Sequence, residues 1–165
     1  MSGICRTSSI GRAADLFAIS FMEVLQTKQK GNLTELQCIT SFYELGYQVS
    51  IPYGENSRYD FIADINGKLI RVQCKTSHIV DNNGSIEFAT RSSRTNATRN
   101  IQRTYTADEI DYFCTYWQGK CYLIPVNETA SSSKKLRFNA PKNGQKVGIT
   151  YAYDYELKSQ LEKIK

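Results

Sequence analysis

Residues 59–75 read Y-D-F-I-A-D-I-N-G-K-L-I-R-V-Q-C-K, and this stretch decides the fold. Asn66-Gly67 is the strongest two-residue hairpin signal, because a type I′ turn needs a positive φ at both central positions. It predicts strands over 59–65 and 68–80. A turn this short also sets the register. Ile65 then pairs with Lys68, Ala63 with Ile70, Phe61 with Val72 and Tyr59 with Cys74, which gathers the apolar side chains on one face. The other face carries Asp60 opposite Gln73, with Lys75 two residues further along. Directly paired Cβ atoms stand ~4.5–5.5 Å apart, so an acid, an amide and an amine are expected in one cluster.

A helix precedes the hairpin. Asn32 as N-cap with Glu35 three residues on fits a capping box. Leu36, Ile39 and Tyr43 form its apolar stripe, Gly46 ends it, and 47–52 reads as a short strand. After the hairpin come a turn at 81–84, a strand over 85–90 and an arginine-rich loop over 91–103. An aromatic hairpin follows at 110–116 and 120–126 around Gln118-Gly119, then a Ser-rich basic loop and a closing helix near 153–163. Strands dominate the middle and helices flank them, which predicts an α/β (α+β) fold, a mixed sheet with helices packed on it. Residues 31–165 read as a single domain, without internal repeat or linker. Residues 1–30 read as an N-terminal extension or amphipathic helix, with Ile10, Ala14, Phe17, Phe21, Val24 and Leu25 at helical spacing. Within it, residues 8–15 (S-S-I-G-R-A-A-D) resemble a tRNA gene translated through its D-arm, as if the frame entered from an upstream exon with Met22 as the working start.

Composition narrows the class. The 165 residues are 41% hydrophobic and 22% charged, which is ordinary for a globular protein. No apolar run approaches the ~18–20 residues that cross a bilayer. The single histidine, His78, cannot build a metal site of several imidazoles. The five cysteines (Cys5, Cys38, Cys74, Cys114, Cys121) form no C-x-x-C pair, so free thiols in a reducing, cytoplasmic compartment are expected. Lys and Arg number 21 against 16 acids, and the excess is uneven. Residues 91–103 hold Arg91, Arg94, Arg99 and Arg103 without an acid; residues 134–146 hold Lys134, Lys135, Arg137, Lys142 and Lys146, again without one. Such cations among small hydrogen-bonding residues suit a phosphate backbone, although two solvated loops would look the same.

Each member of the chemical cluster also has an ordinary explanation. Glu35 is accounted for by a capping box, Asp60 by a strand edge in water, and Gln73 and Lys75 by a solvent-facing strand. The combination says more: an acid on a helix, an acid on a strand, then Q-x-K on the next strand. With G-N-L-T-E-L-Q (31–37), R-Y-D-F-I-A-D (58–64), G-K-L-I-R-V-Q-C-K-T (67–76), I-D-Y-F (110–113), Y-L-I-P-V (122–126), L-R-F (136–138) and A-Y-D-Y-E-L (152–157), the chain resembles the PD-(D/E)-x-K nuclease superfamily. The resemblance covers roughly 30–160, and within the superfamily it is to the group I intron-encoded homing endonucleases of this fold from bacterial tRNA introns. Gln73 departs from the commoner Glu or Asp, and Tyr59 stands where Pro is usual.

The resemblance implies a restriction-endonuclease-like core and a site-specific double-stranded DNA endonuclease. Its catalytic residues would be Glu35, Asp60, Gln73 and Lys75. Asp60, Gln73, the Cys74 backbone carbonyl and Glu35 (directly or through water) would hold Mg2+, with Mn2+ as an alternative. Arg91, Arg94, Arg99 and Arg103 would contact guanine or phosphate, and Lys134, Lys135 and Arg137 the backbone. A tRNA-gene target, a homodimer or homotetramer and no membrane association complete the expectation. A Holliday-junction resolvase of the same fold and an inactive nucleic-acid-binding relative are the alternatives. The aromatic run Tyr112, Phe113, Tyr116, Trp117 and Tyr122 reads as core, and His78 as a core or surface residue.

Overall fold

The turn forms as its dipeptide dictates. A computed structural model describes residues 25–54, 56–82, 84–95, 98–129, 132–140 and 147–164, with the backbone alone at 94, 95 and 100. In it Asn66 (φ 55°) and Gly67 (φ 91°) are both left-handed, and the Gly67 N–H donates to Asp64 Oδ1 at 2.6 Å. Strands β2 (Phe61–Ile65) and β3 (Lys68–Cys74) flank the turn. They pair in the expected register from Ile65↔Lys68 to Phe61↔Val72.

β1 (Gln48–Ser50) adds antiparallel to the outer edge of β2. On the other side β8 (Tyr112–Trp117) runs parallel to β3, and β9 (Lys120–Pro125) pairs antiparallel with β8. The result is a mixed five-stranded sheet in the order β1-β2-β3-β8-β9. The predicted second hairpin is present, with Gln118 (φ 47°) and Gly119 (φ 79°) at its turn.

Alternation along these strands builds two cores. Phe61, Ala63, Ile65, Ile70, Val72, Cys74, Cys114, Cys121 and Leu123 face helices α1 (Thr27–Glu44) and α2 (Leu157–Leu161). Phe113, Tyr122 and Ile124 face the other way, onto Ile86, Phe88 and Leu136. Those last three belong to a smaller antiparallel sheet of β4 (His78–Val80), β5 (Ser85–Ala89) and β10 (Ser133–Arg137). The central mixed sheet thus carries its helices on one face and a second sheet on the other. The aromatic run is core material, as expected: Phe113 and Tyr122 are buried, and Tyr112, Tyr116 and Trp117 pack against the two clusters.

Several boundaries differ from the sequence reading. Helix α1 begins at Thr27, and its capping box joins Gln26 and Gln29, so Asn32 and Glu35 lie inside the helix. Its buried face is Thr34, Cys38, Ile39 and Phe42, while Leu36 and Tyr43 are exposed. The long strand over 68–80 breaks after Cys74 and resumes as β4. The arginine-rich segment is a two-stranded hairpin, β6 (Arg91–Thr95) with β7 (Asn100–Thr104), rather than a loop. Part of the basic segment after β9 is strand β10. The closing helix is a 3-10 turn (Ala152–Tyr155) followed by the short α2. The expected N-terminal extension, apart from residues 25–30, and Cys5, Lys142 and Lys146 lie outside the described residues. Among the described residues no helix is long and apolar enough to cross a membrane.

Parallel pairing of β3 with β8 joins distant stretches of chain, Val72 with Tyr112, and a charged clasp holds it. Asp111 Oδ2 accepts the Arg71 N–H at 2.7 Å and its Nε at 3.0 Å, while Oδ1 takes Nη2 at 2.9 Å. The Asp111 N–H returns a bond to the Arg71 carbonyl at 3.0 Å. Arg71 also donates to the carbonyls of Ala107 and Asp108. Asp111→Ala should therefore lower the unfolding free energy by about 1–3 kcal/mol, the cost of stranding a backbone donor and a guanidinium together. Urea denaturation measures it; an unchanged midpoint would remove the clasp from this account.

Candidate active site

The hairpin ladder ends at Phe61, and the next residue back breaks register. The Asp60 N–H donates to the Val72 carbonyl at 2.9 Å, although Val72 already pairs with Phe61. Asp60 is thus an extra residue in its strand, and it does not sit directly across from Gln73 as the register predicted. Tyr59 moves with it, packing in the second core instead of facing Cys74. The carboxylate nevertheless reaches the expected neighbours. Asp60 Oδ2 accepts the Cys74 N–H at 2.6 Å and the Gln73 Nε2 at 2.6 Å.

Gln73 is buried, and the same Nε2 also donates to the Cys74 carbonyl at 3.1 Å. The donor end of the amide therefore faces two of the oxygens that the sequence reading offered to a cation. The carboxylate's charge accounts for this orientation, since it attracts the NH2 end; a half-turn of the terminal amide would present Oε1 instead.

Glu35 comes to the cluster from α1. Beside it, Thr34 Oγ1 lies 3.1 Å from Thr76 Oγ1, which ties the helix to the segment just after β3. Burial, and then the charge of Asp60, push the Glu35 carboxyl up from its ordinary value. Asp60 is raised as well. Burial is the largest cause, opposed by the Cys74 N–H, the Lys75 ammonium and the Gln73 amide. Two half-buried carboxylates, each raised by burial and Glu35 also by the charge of Asp60, form a site with surplus negative potential.

Lys75 leaves the ladder through its N–H bond to the Cys114 carbonyl at 2.9 Å. Its ammonium lowers the Asp60 pKa, yet it is anchored elsewhere. It donates to Tyr105 Oη at 3.1 Å and to the Arg91 carbonyl at 3.3 Å, and stands 4.8 Å from the Tyr105 ring centroid. The Arg58 guanidinium also stacks on that ring, at 3.9 Å. Arg58 then donates to Ser92 Oγ (2.8 Å), the Thr104 carbonyl (3.0 Å) and Glu109 (3.3 Å). Sequence reasoning missed Thr34, Arg58 and Tyr105. Arg58 stands two residues before Asp60 in a quoted block, but nothing local marks Tyr105, which reaches Lys75 only through the fold.

The remaining site candidates divide into two groups. Arg91 and Arg103 lie on the β6–β7 hairpin, where Arg91 donates to Gln102 Oε1 at 2.9 Å and Arg103 pairs with Glu109. Arg99 is exposed just before β7, and Arg94 lies on β6. Lys134, Lys135 and Arg137 lie on β10 and are locally engaged. Lys134 donates to the Glu128 carbonyl at 2.7 Å, Lys135 pairs with Asp81, and Arg137 pairs with Asp81 at 3.0 Å. His78 is an exposed residue of β4, 3.9 Å from Glu87.

The sequence profile of the PD-(D/E)XK endonuclease family matches residues 25–158. The chain belongs to the PD-(D/E)XK endonuclease family. Among solved structures it is similar to a bacterial homing endonuclease, I-Ssp6803I, with a TM-score of 0.68 and 24% identity over 86% of this chain and 98% of that one. That likeness is one of fold. A comparison with curated proteins finds no match. As a PD-(D/E)XK nuclease the chain acts on nucleic acid, and the family generally uses divalent metal ions. The donor set fits a hard cation: two carboxylates and a peptide carbonyl offer oxygen, and a half-turn of the Gln73 amide, whose NH2 end now faces Asp60, would add a fourth.

The raised Asp60 pKa fixes the sign of a stability effect. Between the ordinary aspartate value of 3.8 and the raised one, the native state binds more protons than the unfolded chain. Stability therefore falls as pH rises through that window, and the penalty is complete above it. Asp60→Asn removes the penalised charge and keeps one acceptor for the Cys74 N–H. In EDTA at neutral pH this variant should melt above wild type, with the gain vanishing below pH 3.8. Thermal melts across pH check it; a variant that melts lower at neutral pH would show that Asp60 is chiefly a structural hydrogen-bond acceptor.

Proposed function

We propose that the chain is a metal-dependent, site-specific endonuclease of double-stranded DNA, encoded within a group I intron and directed at a tRNA-gene target. The observation that carries the reading is the pair of carboxylates with raised pKa, Glu35 and Asp60, with the Lys75 ammonium close enough to act on Asp60, in a PD-(D/E)XK chain. Likeness to a homing endonuclease over nearly its whole length supports the biological role. The 24 residues before the described ones, with their tRNA-like S-S-I-G-R-A-A-D stretch, support an origin within a tRNA gene.

Asp60, the Cys74 carbonyl, the Gln73 amide oxygen and Glu35, directly or through water, would hold Mg2+, or Mn2+ in its place. When bound, the cation supplies charge neutralisation of the scissile phosphate and acidification of water. Asp60 fixes the cluster by holding the Cys74 N–H. Glu35, raised by burial and by Asp60, accepts a proton more readily than an ordinary surface carboxylate. Lys75 places its ammonium against the phosphate and orients the attacking water, with Tyr105 and the Arg91 carbonyl holding the amine in position.

The β6–β7 hairpin brings Arg91, Arg94 and Arg103 to the same structure that anchors Lys75. We assign it the main DNA contact, with Arg99 at its tip and Lys134, Lys135 and Arg137 as backbone contacts. A domain of this size reads few base pairs, so a long unique site calls for a homodimer or homotetramer. Free thiols among the described cysteines support a reducing, cytoplasmic setting.

Plasmid carrying an uninterrupted tRNA gene tests the reading. Wild type should cut it at one place with Mg2+ and not with EDTA, and Lys75→Ala should cut about 100-fold or more slowly while binding the DNA equally well. Structure-selective cutting of four-way junctions instead would identify a resolvase, and binding without cleavage an inactive relative. On the same DNA, Arg99→Ala should weaken binding and flatten the dependence of log K on log salt by about one unit. An unaltered slope would move the contact off this hairpin.

A further inference from the structure

Beneath the active site lies a second convergence of ligand-bearing side chains that no part of the nuclease reading uses. Four of the five cysteines in the sequence, Cys38, Cys74, Cys114 and Cys121, are buried and unbridged. They come from four different elements, α1, β3, β8 and β9, and are separated by up to 83 residues in the chain (from position 38 to 121). The sulfurs of Cys38, Cys114 and Cys121 all lie within 4.8 Å of one another, with Cys114 and Cys121 at 3.1 Å. Cys74 stands beside Cys114 in the β3–β8 ladder and is buried in the same core cluster.

A hydrophobic core has no need of this arrangement. Thiols are weak hydrogen-bond donors, and an apolar cluster of Phe42, Phe61, Val72 and Leu123 would be served as well by alanine or valine. Soft sulfur donors converging from several elements do suit one ligand class, a d10 divalent cation. Zinc binds thiolates at about 2.3 Å in a tetrahedron, which sets sulfurs about 3.8 Å apart. The observed trio brackets that spacing, and opening the 3.1 Å contact by well under 1 Å would complete it.

We propose that Cys38, Cys114 and Cys121, with Cys74 as the fourth donor, form a structural zinc site. On binding, each ligating thiol gives its proton to solvent and no redox step is involved. The site is distinct from the oxygen cluster in ligand chemistry but coupled to it mechanically. Cys38 lies one helical turn after Glu35, and Cys74 supplies both the N–H held by Asp60 and the carbonyl offered to the hard cation. Zinc would thus bolt the helix that carries Glu35 to the strand that carries Gln73. The proposal does not depend on nuclease activity.

Cobalt substitution tests it. Reduced, metal-stripped wild type should develop a thiolate-to-metal charge-transfer band equivalent to about one thiolate-bound Co2+ per chain, and Zn2+ should abolish the band. Asp60→Asn, which removes the charge of the oxygen cluster and keeps an acceptor for the Cys74 N–H, should keep the band. Cys121→Ala should lose it, and Cys38→Ala serves as the second variant if the first fails to fold. An absent band in wild type would overturn the site, as would an intact mass two hydrogens light from a Cys114–Cys121 disulfide. A band lost in Asp60→Asn and kept in Cys121→Ala would also overturn it.

Discussion

One carboxylate oxygen organises the site. Asp60 Oδ2 takes the Cys74 N–H and the Gln73 amide together, each at 2.6 Å, and so closes the open end of the β2–β3 hairpin. The backbone ladder has stopped at Phe61↔Val72, and it is a side chain that carries the pairing to the last residue of β3. This places a charge where burial opposes it. The two N–H donors and the nearby ammonium do not cancel that penalty, and Asp60 keeps a raised pKa. A site so arranged retains affinity for added positive charge, which is what phosphodiester chemistry on nucleic acid requires.

Around that oxygen the sheet and the basic hairpin are joined by one aromatic ring. Tyr105 takes Lys75 through its hydroxyl and Arg58 on its face, and Arg58 continues to Ser92 and Thr104 on the two strands of the hairpin. The hairpin strands are therefore joined, through two side chains, to the Lys75 amine. The Arg71–Asp111 clasp performs the corresponding task for the sheet, holding β8 in parallel register so that the Cys114 carbonyl receives the Lys75 N–H. Glu109, near that clasp in sequence, joins Arg58 and Arg103 in a network on the hairpin side.

What the sequence disclosed followed the range of the interactions. The β2–β3 register was legible because two residues, Asn66 and Gly67, determine it locally; Asp60 meets Gln73 despite the slip beyond Phe61, and Lys75 lies past the end of β3. Glu35 was harder, because the local signal pointed elsewhere. Asn32 and Glu35 imitate a capping box, but the helix had already started at Thr27 with Gln26 and Gln29 as its own box. Glu35 is thus free of capping duty. The helix face was misjudged for a similar reason: its buried positions include Thr34 and Cys38, which a count of apolar residues passes over in favour of Leu36 and Tyr43. The arginine hairpin shows no alternation to announce strands, and its order comes from Arg58, 34 residues upstream of its Ser92 partner. The one-residue slip at Asp60 has no sequence signature at all; it emerges where the carboxylate, instead of the backbone, satisfies the Cys74 N–H.

Anomalous diffraction from crystals soaked in Mn2+ addresses the central claim most directly. The account predicts a peak within about 2.0–2.6 Å of an Asp60 carboxylate oxygen and the Cys74 carbonyl, with the Gln73 amide turned to present Oε1. A peak confined to other carboxylates, or crystals in which Gln73 Nε2 still bridges Asp60 and the Cys74 carbonyl at saturating Mn2+, would contradict it.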